Sequence, residues 1–149
     1  MRVVIQRVKH ASVTSENKKS EIEKGLLIFV GIEENDGEED IKWLSSKILK
    51  LRIFDDENGI MNKSVTDIEG SLLVISQFTL HASTKKGNRP AYTKAARPEK
   101  AILVYNEFVS QMEKDMVKEI KTGEFGVEMQ VNLTNDGPVT ILIDTKNKE

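Results

Sequence analysis

The sequence contains no cysteine, which excludes disulfides, thiol nucleophiles and thiolate-held metal in one step. Histidine is almost as scarce. His10 and His81 are the only two, so the chain offers no ligand set for a histidine-rich metal centre, and neither a metal nor another cofactor is expected. No apolar run approaches the ~18 residues that a spanning helix needs. The longest, Leu26-Leu27-Ile28-Phe29-Val30, has the length of a strand. The opening residues Met1-Arg2-Val3-Val4-Ile5-Gln6-Arg7 put a charge where a secretory signal needs its apolar stretch. They read as a strand entering the fold directly, in a cytoplasmic protein without a membrane partner. A net charge of −2 gives no global pull toward nucleic acid, and DNA is not an expected partner.

What is present suits one ordinary core. With 149 residues, 38% hydrophobic and 31% charged, the chain reads as a single domain over residues 1–149. Charge is unevenly placed. Glu33 to Asp40 holds six acids in eight residues and reads as a solvated loop and helix start. Lys85 to Lys100 holds six bases against Glu99 alone.

Periodicity predicts a strand over Arg2 to Val8, a second from Ala11, and a polar turn at Ser15 to Lys19. Leu26 to Ile32 is apolar on both faces, as a doubly buried strand would be. Asn35-Asp36-Gly37 introduces a helix whose Ile41, Leu44, Ile48 and Leu51 share one face. Leu72 to Leu80 reads as another strand. Pro98 opens a second helix, with Ala101, Tyr105, Phe108, Met112 and Met116 as its core stripe. From Val127 the period becomes two, Asn135-Asp136-Gly137-Pro138 interrupts it, and Val139 to Ile143 forms a last strand. Six or seven strands and two helices cannot cover both faces of a parallel sheet. The expected fold is α+β and mostly β, an antiparallel sheet curled like a barrel with two helices packed outside.

Three segments could carry chemistry. Ser76-Gln77-Phe78-Thr79 gathers two hydroxyls and an amide at a strand end, able to bind substrate or aim backbone N–H groups at an oxyanion. The same groups could simply satisfy local backbone. His81, two residues beyond Thr79, is the one nearby base for a hydroxyl nucleophile if the strand continues, though a solvated histidine is the simpler reading. The turn Asn135 to Thr140 contains Gly137-Pro138, and Gly-Pro turns between strands are common. Lys85, Lys86, Arg89 and Tyr92 sit in a Gly- and Pro-containing loop, suited to phosphate contact and stacking or to plain solvation.

Together, Ser76-Gln77-Phe78-Thr79-Leu80 and Asn135-Asp136-Gly137-Pro138-Val139-Thr140 resemble the paired motifs of the D-aminoacyl-tRNA deacylase family. Met1 to Val8, Leu51-Arg52-Ile53-Phe54, Lys86-Gly87-Asn88-Arg89-Pro90 and Gly123-Glu124-Phe125-Gly126 match in order and spacing, so the resemblance covers nearly the whole chain. It implies a barrel-like homodimer that hydrolyses the ester between a D-amino acid, or glycine, and the 3′-terminal adenosine of tRNA. It further implies a cis bond at Gly137-Pro138, with that pair entering the partner subunit's pocket to exclude L side chains. Ser76, Gln77, Phe78 and Thr79 would line the pocket and stabilise the oxyanion. The substrate's own 2′-hydroxyl would assist water, with Thr79 as nucleophile the second mechanism. Asn135 and Thr140 would stabilise the turn, and Arg7 would brace it. Two positions depart from the family: His81 stands where relatives often carry Tyr, and Ala91-Tyr92 replaces a Ser-Phe pair. The rival readings are a non-catalytic RNA-binding barrel and a general serine or threonine esterase.

Overall fold

The computed structural model describes all residues from Met1 to Glu149. Eight strands and two helices follow in the order β1 (Arg2–Thr14), β2 (Lys19–Ile22), β3 (Gly25–Gly31), α1 (Glu38–Lys50), β4 (Phe54–Asp55), β5 (Met61–Lys63), β6 (Ser71–Ser76), α2 (Pro98–Met116), β7 (Lys121–Thr122) and β8 (Gln130–Asp144). A 3₁₀ turn, Phe78–His81, follows β6. No helix is long and apolar enough to cross a membrane.

β1 organises the sheet. It pairs antiparallel with β2, β3 and, along its length, β8. The expected break after Val8 is a bulge inside one strand: register against β8 shifts between Gln6 and Val8 and again before His10. An inserted residue switches which face the following side chains meet. Val3 and Ile5 therefore join the core beneath the helices, while Val8, Ala11 and Val13 join the core on the opposite face. β8 also runs as one strand where an interruption was expected. Gln6 pairs with Thr140 and Val8 with Asn135, so Asp136 to Val139 arch out of the ladder without ending it. Nor does β8 start at Val127, which is 43% exposed in the turn before it.

β3 and β6 pair in parallel from Gly25↔Ser71 to Val30↔Ser76, and β7 adds to β6 in parallel. The sheet is thus mixed rather than antiparallel throughout, but curled as expected, with β2 approaching β6 and β7. Parallel strands must be covered on both faces. Leu26, Ile28, Leu72 and Val74 face the helices, and Leu27, Leu73 and Ile75 face the inside of the curl. Gly25 makes the close pairing possible, because a Cβ there would stand 1.9 Å from the Ser71 carbonyl oxygen.

α1 starts at Gly37, whose N–H donates to Asp40 Oδ2 at 3.1 Å, with acids in its first turn and Lys47 and Lys50 in its last, matching the helix dipole. α2 starts with Pro98 and buries Val104, Tyr105, Phe108 and Met112, so the predicted stripe is core. The acidic stretch is less solvated than expected. Asp36 is 1% exposed, and its Oδ1 accepts from the Met1 ammonium at 2.6 Å.

Candidate functional site

β6 stops at Ser76, paired with Val30 in the last rung it shares with β3. Gln77 donates its N–H to the Val30 carbonyl at 2.8 Å, and the chain then turns into the 3₁₀ segment. The strand predicted to reach Leu80 therefore ends four residues earlier. At this end of the parallel pair opens a cleft of about 740 Å³, within the range of small-ligand sites. Ser76 and Gln77 give it a polar edge, while Phe29, Ile75, Met129 and Val131 make its floor apolar. Phe78 stands at the mouth, 57% exposed, edge-on to Tyr92 with ring centroids 5.0 Å apart. Two smaller depressions, near Thr14–Asn17 and beside Trp43, contain no residue of the paired motifs at Ser76–Leu80 and Asn135–Thr140.

Thr79 lies on the turn behind the lining. Its Oγ1 accepts a hydrogen bond from Gln77 Nε2 at 2.6 Å, and no base takes its proton. His81 does not share a strand face with Thr79, because the backbone there is 3₁₀. Nor is it solvated: it is 2% exposed, with Nδ1 3.3 Å from Glu33 Oε1. The turn thus removes the geometry in which His81 could serve Thr79. His10 is a surface residue, 3.4 Å from Glu21.

Gly137 and Pro138 ride the arch of β8, joined by a cis peptide, and neither lines the cleft of its own chain. The arch is closed at its base by Asn135. Its Oδ1 accepts from the Val139 N–H at 2.8 Å, and its Nδ2 donates to the Val139 carbonyl at 3.1 Å and to Thr140 Oγ1 at 3.2 Å. Arg7 braces the arch from below. Nε donates to the Asp136 carbonyl at 2.7 Å and Nη1 to the Ile53 carbonyl at 2.6 Å. Gly137 has φ +148° and no room for a Cβ, which would meet the Val139 nitrogen at 2.9 Å. The structure thus gathers Arg7, Asn135 and Thr140 around Gly137-Pro138, and gathers Ser76, Gln77 and Phe78 at the cleft.

Lys85, Lys86 and Arg89 occupy an exposed loop closed by two backbone hydrogen bonds between Ser83 and Ala91, and none of the three makes an ion pair. Tyr92 belongs to the cleft wall as much as to this loop. Sequence reasoning missed Arg97, Phe125, Gly126 and Met129 as lining residues. The segment Gly123 to Gly126 was a visible signal, since Gly126 turns at φ +76° and Phe125 packs 5.6 Å from Tyr105. Burial raises the Tyr105 hydroxyl far above its ordinary pKa, keeping it a donor to the Val74 carbonyl at 2.9 Å behind the cleft. No three His, Asp or Glu side chains converge as a metal site.

A curled, mostly β sheet with a largely apolar cleft at the end of its parallel pair, edged by Ser76 and Gln77, has the form of a small ligand-binding domain. The chain belongs to the D-Tyr-tRNA(Tyr) deacylase family, whose model matches residues 4–144. It is 66% identical to a D-aminoacyl-tRNA deacylase of Bacteroides fragilis over 150 positions, and 61% identical to that of Flavobacterium johnsoniae, each alignment covering all of both chains. Among solved structures it resembles the c-Myc DNA Unwinding Element Binding Protein, with TM-score 0.91, 41% identity, and coverage of 97% of this chain and 99% of that one.

Proposed function

We propose that the chain is a cytoplasmic homodimeric hydrolase that cleaves the ester of D-aminoacyl-tRNA, and of glycyl-tRNA, releasing free tRNA and amino acid. Residues 1–149 act as one deacylase domain in this reading. The observation that carries it is the pairing of two built features on one family member. A cleft ends at Ser76-Gln77-Phe78, and a braced arch carries Gly137-Pro138 exposed and outside the lining of its own cleft.

Acting in a second subunit's cleft, the arch supplies a rigid wall. The two hands of an amino acid offer identical groups to bind, so rejection of one must come from exclusion. Carbonyl oxygens of Gly137 and Pro138 would occupy the volume of an L side chain, whereas a D side chain points elsewhere and glycine has none. Three anchors hold this wall in place: Arg7, Asn135 and the Thr140 hydroxyl.

For the chemistry, Phe78 and Thr79 open the 3₁₀ turn, so their N–H groups have no partner within it. They suit the oxyanion that forms when water adds to the ester carbonyl. Thr79 Oγ1 accepts from Gln77 and lacks a base, which favours water over Thr79 as the nucleophile. The 2′-hydroxyl of the terminal adenosine then assists that water, and the 3′-oxygen leaves with a proton. The unpaired cations Lys85, Lys86 and Arg89, with Tyr92 at the rim, suit the phosphates and base of the acceptor end.

Matched D- and L-tyrosyl-tRNA, with glycyl-tRNA as a third substrate, test this reading in the presence of chelator. Loss of the D and glycyl esters with the L ester spared is the expected result. Equal loss of D and L esters would leave an esterase without a chiral wall. Binding without turnover, irrespective of the amino acid and competed by duplex DNA, would make it a nucleic-acid-binding barrel.

A further inference from the structure

His81 is the buried titratable side chain that the proposed chemistry leaves unused. Its ring is 2% exposed, and neither nitrogen makes a well-aligned hydrogen bond. Such an arrangement is unfavourable for folding unless something else requires it. The ring packs closely on Gly31, where a Cβ would stand 3.0 Å from Cδ2 and 3.1 Å from Nε2 and would crowd it. Its one polar contact is Nδ1 to Glu33 Oε1 at 3.3 Å.

Glu33 sits at a junction. The cleft has two walls from distant parts of the chain, the Gln77–His81 turn and the Ala95–Arg97 segment, with no hydrogen bond between them. The second wall is tied to the segment around Glu33. Ala96 donates its N–H to the Ile32 carbonyl at 2.8 Å, Glu33 bridges Ala95, and the Arg97 N–H donates to Glu34 Oε2 at 3.3 Å. The Glu33 N–H in turn donates to buried Asp36 Oδ2 at 2.7 Å. The first wall reaches this junction through His81, and is otherwise held by the Gln77 N–H donating to the Val30 carbonyl at 2.8 Å and by Arg2 Nη1 donating to the Leu80 carbonyl at 2.8 Å.

We infer that His81 is a positioning residue: its contact with Glu33 ties the turn bearing Phe78 and Thr79 to the opposite wall and sets the width of the cleft. This rests on the cleft being the site of deacylation. Phenylalanine at 81 fills the same volume and keeps the burial, but offers Glu33 nothing. Asparagine places a donor nitrogen near the Nδ1 position.

The test compares wild type, His81→Phe, His81→Asn and Glu33→Ala by amide hydrogen exchange and by deacylation of D-tyrosyl-tRNA. In His81→Phe, exchange at Ala82 and Ala96 is expected to accelerate about tenfold, the scale of one lost interaction with a charged group, with Tm and core amides at wild-type values. The kcat/KM should fall by a similar factor, His81→Asn should recover both, and Glu33→Ala added to His81→Phe should cost nothing more. Wild-type exchange at Ala96 in His81→Phe, or no recovery with His81→Asn, would overturn the inference. A wild-type enzyme inactive on every ester would count against the deacylase reading, while the exchange data would still decide the tie.

Discussion

Replacing Arg7 by Met separates the brace of the Gly137-Pro138 arch from the bulk of the side chain beneath it. Arg7 is 8% exposed, and its two hydrogen bonds run to carbonyls from different parts of the chain, Asp136 and Ile53. A hydrogen bond to a charged donor contributes about 1.5–3 kcal/mol. The Asp136 carbonyl is near solvent and regains a water partner, so it counts at the low end; the Ile53 bond is buried and loses its partner outright. Their sum is about 4.5 kcal/mol, offset by about 1 kcal/mol because an apolar chain now fills a site that had to desolvate a guanidinium. A net loss of about 3.5 kcal/mol lowers Tm by about 7–14 °C in a domain of this size. The arch should then move independently of the sheet, so the ratio of D- to L-tyrosyl-tRNA hydrolysis should fall further than the D rate itself. Arg7→Lys should be intermediate, since one ammonium cannot reach both carbonyls in the guanidinium's fixed fork. Thermal melts and paired deacylation assays read both effects. An Arg7→Met protein that melts lower yet keeps the wild-type D-to-L ratio would refute the brace as a determinant of chirality.

Gly25→Ala forces a Cβ to within 1.9 Å of the Ser71 carbonyl oxygen, which is backbone and cannot swing aside. A loss above about 3 kcal/mol, or insoluble expression, is expected, and urea denaturation checks it. Val117→Gly should do the opposite. Val117 caps α2 at φ +54°, 90% exposed, where a β-branched residue is strained and glycine is not. A gain of about 1 kcal/mol should appear as a Tm rise of about 2–4 °C. Acid should weaken the protein through Asp40. Partial burial works to raise its pKa, but hydrogen bonds from Thr145, Lys146 and the Gly37 N–H outweigh that and hold it at about 2. A carboxyl depressed in the folded state contributes stability that is complete above its unfolded pKa of about 4 and is lost as pH falls toward 2. Urea midpoints between pH 5 and pH 2 should drop, with about 1–2 kcal/mol from this group after screening, and Asp40→Asn should flatten that slope.

Much of the molecule was legible before folding because local pattern and local chemistry agree. Pro98 and the spacing of Tyr105, Phe108 and Met112 define α2, and the doubly apolar run at Leu26 defines a strand covered on both faces. The motif residues Ser76 to Thr79 and Asn135 to Thr140 stand together in sequence, so family resemblance could reach them without coordinates. Only the tertiary structure decided where strands stop and what lies opposite. β6 ends at Ser76 where the chain leaves β3 for the 3₁₀ turn, and β1 and β8 stay continuous because they bulge against one another, which no property of either segment alone specifies. The pairing of His81 with Glu33, of Met1 with Asp36, and of Arg7 with two distant carbonyls joins residues that periodicity treats separately. Composition and short-range spacing determined the elements and the chemical inventory. Long-range pairing determined burial, and burial turned a solvated histidine and an acidic loop into parts of the scaffold behind the cleft.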